Sequence, residues 1–315
     1  MDAVNARASW EEHARQLREE VLRLKAERGA VLVAHNYQRD EIQEIADLVG
    51  DSLALARFCA ASPSRLIVFC GVHFMAESAK VMSPEKTVLL PEIDAGCPMA
   101  DMVDEIALRA WKAEHPGVAV VAYINSSAAV KAESDVICTS SNALAVVRAL
   151  GAPEILFLPD CNLGAYVARQ MPEIKVHLWP GFCITHHRVR PEDLAAARKA
   201  HPDALLLAHP ETQPDIWEQA DFVGSTKQII DYAAKSPAKK FLIGTEMGVM
   251  WKLRKDSPDK TFYLLAPGMV CPNMKKITMR SVRDALAETK YDIQVPADVA
   301  AGARRALERM LAVQA

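Results

Sequence analysis

No two of the seven cysteines, Cys59, Cys70, Cys97, Cys138, Cys161, Cys183 and Cys271, stand close enough in the chain to form a C-x-x-C pair. Any metal site they make must therefore be assembled by the fold from distant segments. An odd number of thiols without a secretory signal also argues against a disulfide framework. No apolar run approaches the roughly 20 residues that span a bilayer, and the N-terminus reads as a helix rather than a signal peptide, so a cytoplasmic protein without a membrane partner is expected. Nor is there an excess of either charge: 37 basic against 40 acidic residues leave a net charge of -3, which speaks against nucleic acid and anionic lipid as partners. A small-molecule ligand fits better. What the 315 residues do have is a hydrophobic fraction of 50%, enough for a sizeable core in one large domain or in several smaller ones.

The first helix is expected to begin at Ser9, capped by its hydroxyl with Glu12 reaching back, and to end at Gly29. Trp10, Ala14, Leu17, Val21 and Leu24 form its apolar stripe. Beyond it, nine short apolar runs alternate with amphipathic stretches: 30–34, 65–69, 87–90, 118–123, 155–158, 175–178, 204–208, 241–243 and 261–265. Near-continuous apolar strands separated by helices imply parallel sheets covered on both faces.

These strands fall into three sets of three. The first of each set runs into A-H-N-Y at 34–37, A-Y-I-N at 122–125 and A-H-P-E at 208–211, so His35, Tyr123 and His209 are 88 and 86 residues apart. The second ends at Cys70-Gly71, Pro159-Asp160 and Gly244-Thr245, again about 87 apart. The third leads to G-C-P at 96–98, G-F-C at 181–183 and G-M-V-C-P at 268–272, with cysteines 86 and 88 apart. Repetition at a fixed period marks repeated structural units, and a unit of about 87 residues is the size of a small α/β layer domain. The expected fold is thus α/β, with three similar three-layer αβα domains, each on a short parallel sheet, around a pseudo-threefold axis. We place the repeats at 1–105, 106–191 and 192–284, with 285–315 packing back onto the first. Ligands of open α/β sheets bind beyond the carboxyl ends of the strands, where all the marked polar residues lie, so the active site is expected at the centre.

A threefold axis that relates the units also relates Cys97, Cys183 and Cys271. Glycine ahead of each suits a tight turn. Three convergent thiolates suit either Zn²⁺ with an open position or a [4Fe-4S] cluster with one iron lacking a protein ligand, and either metal could act as a Lewis acid. Cys59, Cys70, Cys138 and Cys161 lack this matched placement and read as buried small residues.

The chain resembles the quinolinate synthase family over nearly its whole length. The resemblance is carried by A-H-N-Y-Q at 34–38, G-V-H-F-M-A-E-S-A-K at 71–80, G-C-P-M-A-D at 96–101, Y-I-N at 123–125, K-A-E-S-D at 131–135 and C-T-S-S-N-A at 138–143. It continues through L-P-D-C-N-L-G at 158–164, H-P-E at 209–211, G-S-T at 224–226, G-T-E-M-G at 244–248 and V-C-P-N-M-K at 270–275. It implies condensation of iminoaspartate with dihydroxyacetone phosphate to quinolinate, phosphate and two waters in NAD biosynthesis. L-aspartate oxidase or aspartate dehydrogenase would supply the iminoaspartate. It also implies a [4Fe-4S] cluster on Cys97, Cys183 and Cys271, favouring iron over zinc, with the open iron as Lewis acid. Some members carry a CxxCxxC string at the last cysteine. Here Cys271 stands alone between Val270 and Pro272, which argues against a local thiol–disulfide switch.

By the same resemblance His35, Tyr123, Ile124, Asn125, His209, Pro210 and Glu211 line the central site with Tyr37, Ser52, Ser140 and Thr226. The chemistry is mostly proton movement, which positioned His, Tyr and carboxylate groups supply. Glu211 and Tyr123 are expected to shuttle protons during enolisation of the triose, and Tyr37 to assist dehydration. His35 and His209 are expected to bond carboxylates or phosphate, as are the hydroxyls of Ser52, Ser140 and Thr226. G-S-T ahead of a helix offers amides to the same anions. His186 and His187 look metal-like, but adjacent residues point apart, and they read as surface or supporting groups. The role of Lys227 is open, and the run Lys252 to Lys260 reads as a solvated loop. The rival readings are an iron–sulfur redox sensor or electron carrier without turnover, and a zinc hydrolase. Closure of the three units over a reactive imine would exclude water, so open and closed forms are expected.

Overall fold

A computed structural model describes the backbone of residues 2–313 and the side chains of 11–313. All nine expected strands form: β1 Val31–His35, β3 Leu66–Cys70, β4 Thr87–Leu89, β5 Ala119–Tyr123, β7 Glu154–Leu158, β8 Lys175–Leu178, β9 Leu205–Ala208, β11 Lys240–Gly244 and β12 Thr261–Leu264. Three more were not legible, β2 Leu48–Gly50, β6 Val136–Cys138 and β10 Phe222–Val223, because two or three residues cannot show a period. They keep the repeat all the same. Just ahead of each, Asp47, Asp135 and Asp221 accept the amides of Leu32, Val120 and Leu206 at 2.8, 2.7 and 2.7 Å, fastening the edge strand to the central one.

The twelve strands make three four-stranded parallel sheets with one topology, β2-β1-β3-β4, β6-β5-β7-β8 and β10-β9-β11-β12, flanked by helices. Each chain path goes to one side of the first strand and then crosses to the other. The crevice between β1 and β3, and its equivalents, is the switch point at which α/β sheets bind ligands. Strand interiors are solid apolar, with Leu32, Val33, Ile67, Val68, Val120, Val121, Ile155, Phe157, Leu242 and Ile243 all fully buried. Parallel sheets covered on both faces need this.

The first helix runs Asp2–Glu27, seven residues longer than expected, so Ser9 lies inside it and is no cap. Gly29 does end it, at φ +57°, a conformation a β-carbon would strain. The stretch 285–315 does more than return to the first sheet. Helix Met279–Glu288 packs on the first helix, and the amides of Leu90 and Ile293 bond Tyr291 and Val88 carbonyls along β4. Helix Ala297–Ala312, however, lies mainly on helix Ala128–Ala132 and β6 of the second unit, and also touches helix His73–Met82 of the first. Small residues set that contact. A β-carbon on Gly302 would sit 2.8 Å from that of Ala132. Arg304 donates to the Val81 carbonyl and Arg309 to that of Asp135, so one helix straps two units together.

The 252–260 run is not a loop throughout. Helix Val249–Asp256 takes its first half, with Lys252 paired to Asp256 at 2.6 Å, and Lys260 turns inward to donate to the Ser236 carbonyl at 2.7 Å. Lys86, at the equivalent place in the first unit and 7% exposed, donates to the carbonyls of Cys59 and Ser62 at 2.6 and 2.7 Å, closing the end of helix Ser52–Ala61. These are charge-assisted bonds to carbonyls with no helical partner. Lys86→Met should therefore lower the unfolding free energy by about 2–3 kcal/mol in urea titrations. A change below about 0.5 kcal/mol would show that water replaces the ammonium without loss.

Candidate active site

Loops at the carboxyl ends of all three sheets contribute to one central cavity of about 150 Å³. After the central strands come His35 and Tyr37, then Tyr123, Ile124 and Asn125, then His209 and Glu211; after the short edge strands come Ser52, Ser140 and Thr226; after the outer strands come Cys97, Cys183 and Cys271. All of these line the cavity. Pro210 does not; it is buried between His209 and Glu211 and shapes the turn that presents them.

His35 and His209 are held alike. The amide of Tyr37 donates to His35 Nδ1 and that of Glu211 to His209 Nδ1, both at 3.2 Å, so each ring keeps its proton on Nε2 and offers it as a donor. For His209 the partner is Ser140 Oγ, at 3.1 Å. Burial lowers the pKa of His35 to about 3 and of His209 to about 4 despite the nearby Glu211 carboxylate, and both imidazoles are neutral at physiological pH.

A chain of hydrogen bonds joins the two tyrosines through all three units. Tyr123 Oη donates to Glu211 Oε1 at 2.6 Å, and Glu211 Oε2 lies 2.8 Å from His186 Nδ1. His186 Nε2 is 2.9 Å from Thr245 Oγ1, which is 2.7 Å from Tyr37 Oη, itself 2.8 Å from Thr226 Oγ1. Burial pushes both phenols above their ordinary range, and Glu211 adds to it, so they rest protonated. Burial would raise Glu211 too, but His186 and the Tyr123 hydroxyl, both within hydrogen-bond reach, hold it well below the usual carboxylate range. It is an ionised base 2.6 Å from a phenol proton.

The sequence places His186 at the surface or in a supporting role. It does point away from His187, as adjacency requires, but it is the inward one of the pair, 1% exposed and 3.2 Å from Cys183 Sγ. His187 stacks on Phe182 and meets Asn162. Asp160 and Thr245 are legible in the sequence only as strand-end markers without a role, and Glu246 carries no reading there, although Asp160 and Glu246 stand in phase, each two residues past the second strand of its unit. Lys227 faces solvent and pairs with Asp231 at 2.6 Å.

Burial pushes the Cys97 thiol up to about 12 and raises Cys183 and Cys271 as well. Among the described residues, Cys183, His186 and Glu211 bring ligand atoms within 4.8 Å of one another, whereas the three cysteines do not gather so tightly. The glycines ahead of them do not take left-handed backbone. Gly181 is needed for another reason: a β-carbon there would lie 2.6 Å from the Pro159 carbonyl oxygen. Cys59, Cys70 and Cys138 are buried in the core, and Cys161 opens helix Cys161–Gln170.

Residues 19–312 match the family model described as quinolinate synthetase A protein. The quinolinate synthase of Caldicellulosiruptor saccharolyticus is 58% identical over 296 residues, 94% of this chain and 98% of that protein. That of Geobacter sp. is 54% identical over 297 residues, covering 94% and 97%. The Clostridium kluyveri quinolinate synthase is 52% identical over 295 residues, with the same coverage. No helix among the described residues is long and apolar enough to cross a membrane.

Proposed function

The chain belongs to the quinolinate synthetase A family, and from that premise we propose that it is an enzyme condensing iminoaspartate with dihydroxyacetone phosphate to quinolinate, phosphate and two waters in NAD biosynthesis, with a [4Fe-4S] cluster on Cys97, Cys183 and Cys271. The observation that carries the reading is the ionised Glu211, bonded to Tyr123 at 2.6 Å, in the same cavity as three cysteines on equivalent loops.

The donor set fits a cluster better than one ion. A single Zn²⁺ holds thiolates at about 2.3 Å and would draw all three sulfurs close together. Here they do not gather so tightly, which suits separate irons, and burial holds all three thiols above their ordinary range until a metal provides the charge. When bound, the cluster's open iron supplies a Lewis acid for a substrate oxygen. The tight group Cys183, His186 and Glu211 gives the rival of a mononuclear metal its one supporting observation.

The protein's own groups account for the proton steps. Glu211 accepts a proton from the triose as it enolises, and Tyr123, already donating to that carboxylate, returns one to oxygen. The Nε2–H groups of His35 and His209 bind the anionic ends of the substrates. Ser52, Ser140 and Thr226 stand at or just before the starts of helices, where free amides and hydroxyls suit carboxylate and phosphate. Tyr37, between Thr226 and Thr245, is placed to donate in the later dehydration.

Protein purified without oxygen should contain about four iron and four acid-labile sulfide per chain. It should also form quinolinate from the two substrates. Zinc without sulfide would sink the cluster and turn attention to Cys183, His186 and Glu211. Tyr37→Phe should keep the iron and lose about 10²-fold or more in turnover, and ordinary turnover would remove Tyr37 from the chemistry.

A further inference from the structure

Two residues past the second strand of each sheet stand Val72, Asp160 and Glu246, at equivalent places in the three repeats. Two are carboxylates, completely buried. Asp160 accepts the amide of Leu163 on one oxygen at 2.7 Å and the amide of Cys183 on the other at 3.0 Å. Glu246 repeats the arrangement, with Gly248 at 2.7 Å and Cys271 at 2.9 Å. One amide of each pair opens the following helix, and the other belongs to the cysteine itself, 23 or 25 residues further on. Both oxygens of each side chain therefore meet a backbone N–H. Glu246 has Lys275 beside it at 3.1 Å, and Lys275 also donates to the Tyr37 carbonyl, tying the Cys271 loop to the first unit. Apolar Val72 stands at the corresponding place in the Cys97 corner.

We propose that Asp160 and Glu246 are positioning residues of the metal centre: each latches the backbone of one cysteine, Cys183 or Cys271, and so the pair fixes two of the three thiolate corners. The proposal rests on the iron–sulfur reading above. The placing of each cysteine's backbone fixes the hydrogen bonds and solvent that reach its sulfur, and these set the reduction potential of such a centre. The latches also keep the cysteine loops in place as metal is inserted.

The test compares Asp160→Asn and Glu246→Gln with Asp135→Asn, which removes the same kind of carboxylate–amide bond, to Val120 at 2.7 Å, at the far end of a strand. Iron and sulfide content, the midpoint potential by dye-mediated titration followed by electron paramagnetic resonance, and iron loss to a chelator are read on the loaded proteins. Asp160→Asn and Glu246→Gln should each shift the potential and speed iron loss several-fold, while Asp135→Asn leaves both at the wild-type level. A loaded variant with unchanged potential, or an equal shift in Asp135→Asn, overturns the proposal. Failure of both site variants to fold, with Asp135→Asn folding normally, assigns the carboxylates to stability alone and overturns it too. Wild-type protein without iron and sulfide defeats the cluster reading instead.

Discussion

Alanine at Cys97, Cys183 or Cys271 should each reduce cluster iron to background and abolish quinolinate formation, while leaving the protein folded. The three thiols line the cavity and are only partly buried, so truncation removes little core packing. On the proposed cluster reading each supplies one corner of a site that offers no spare thiol: Cys59, Cys70 and Cys138 are enclosed in the core, and Cys161 does not line the cavity. Two remaining thiolates leave a second iron without a protein ligand, and a cluster held at two points is readily lost. Cys138→Ala is the matching control. It deletes a fully buried side chain at the end of β6 and should cost about 1 kcal/mol in stability without loss of iron. Iron, sulfide and circular dichroism on the four variants decide the matter. A site variant that keeps full iron and activity removes that cysteine from the centre, and loss of iron from Cys138→Ala alone would point to a different ligand set.

Glu211→Gln should retain the cluster yet lose about 10²- to 10⁴-fold in turnover. The substitution keeps shape and one acceptor for Tyr123 but removes the charge that makes the group a base. That charge is maintained against complete burial by the His186 imidazole and a phenol, an arrangement whose only evident return is chemical. Because Tyr123 Oη and Glu211 Oε1 are 2.6 Å apart and act on one proton, their losses should not add. Tyr123→Phe combined with Glu211→Gln should be about as slow as the worse single variant. Fully additive losses would mean that the two residues serve separate steps, and normal turnover in Glu211→Gln would dismiss it as the base.

Several features of this site were open to a reader of the chain. Strands of continuous Val, Leu, Ile and Phe declare themselves locally, and a period near 87 shows in any property measured at strand ends. His35, Tyr123 and His209 are thus legible as equivalents, and so are the three cysteines. Less legible were the edge strands β2, β6 and β10, whose two or three residues carry no pattern and are held by an aspartate bond to a strand 15 residues earlier. Ser9 is no cap because the helix continues upstream to Asp2.

His186 marks the boundary more sharply. Spacing says only that His186 and His187 diverge; which one faces the cavity depends on the turn after Cys183 and on Glu211, Thr245 and Cys183 being at hand to receive it. Thr245 meets Tyr37 across 208 residues of chain, and Asp160 and Glu246 find their cysteine amides only once the loops have closed. The sequence by itself determined the repeat, the parallel strands and the set of polar groups at their carboxyl ends, because periodicity and burial act along the chain. Only the tertiary structure decided which of those groups touch, since hydrogen bonds within about 3 Å depend on how three units pack about one cavity.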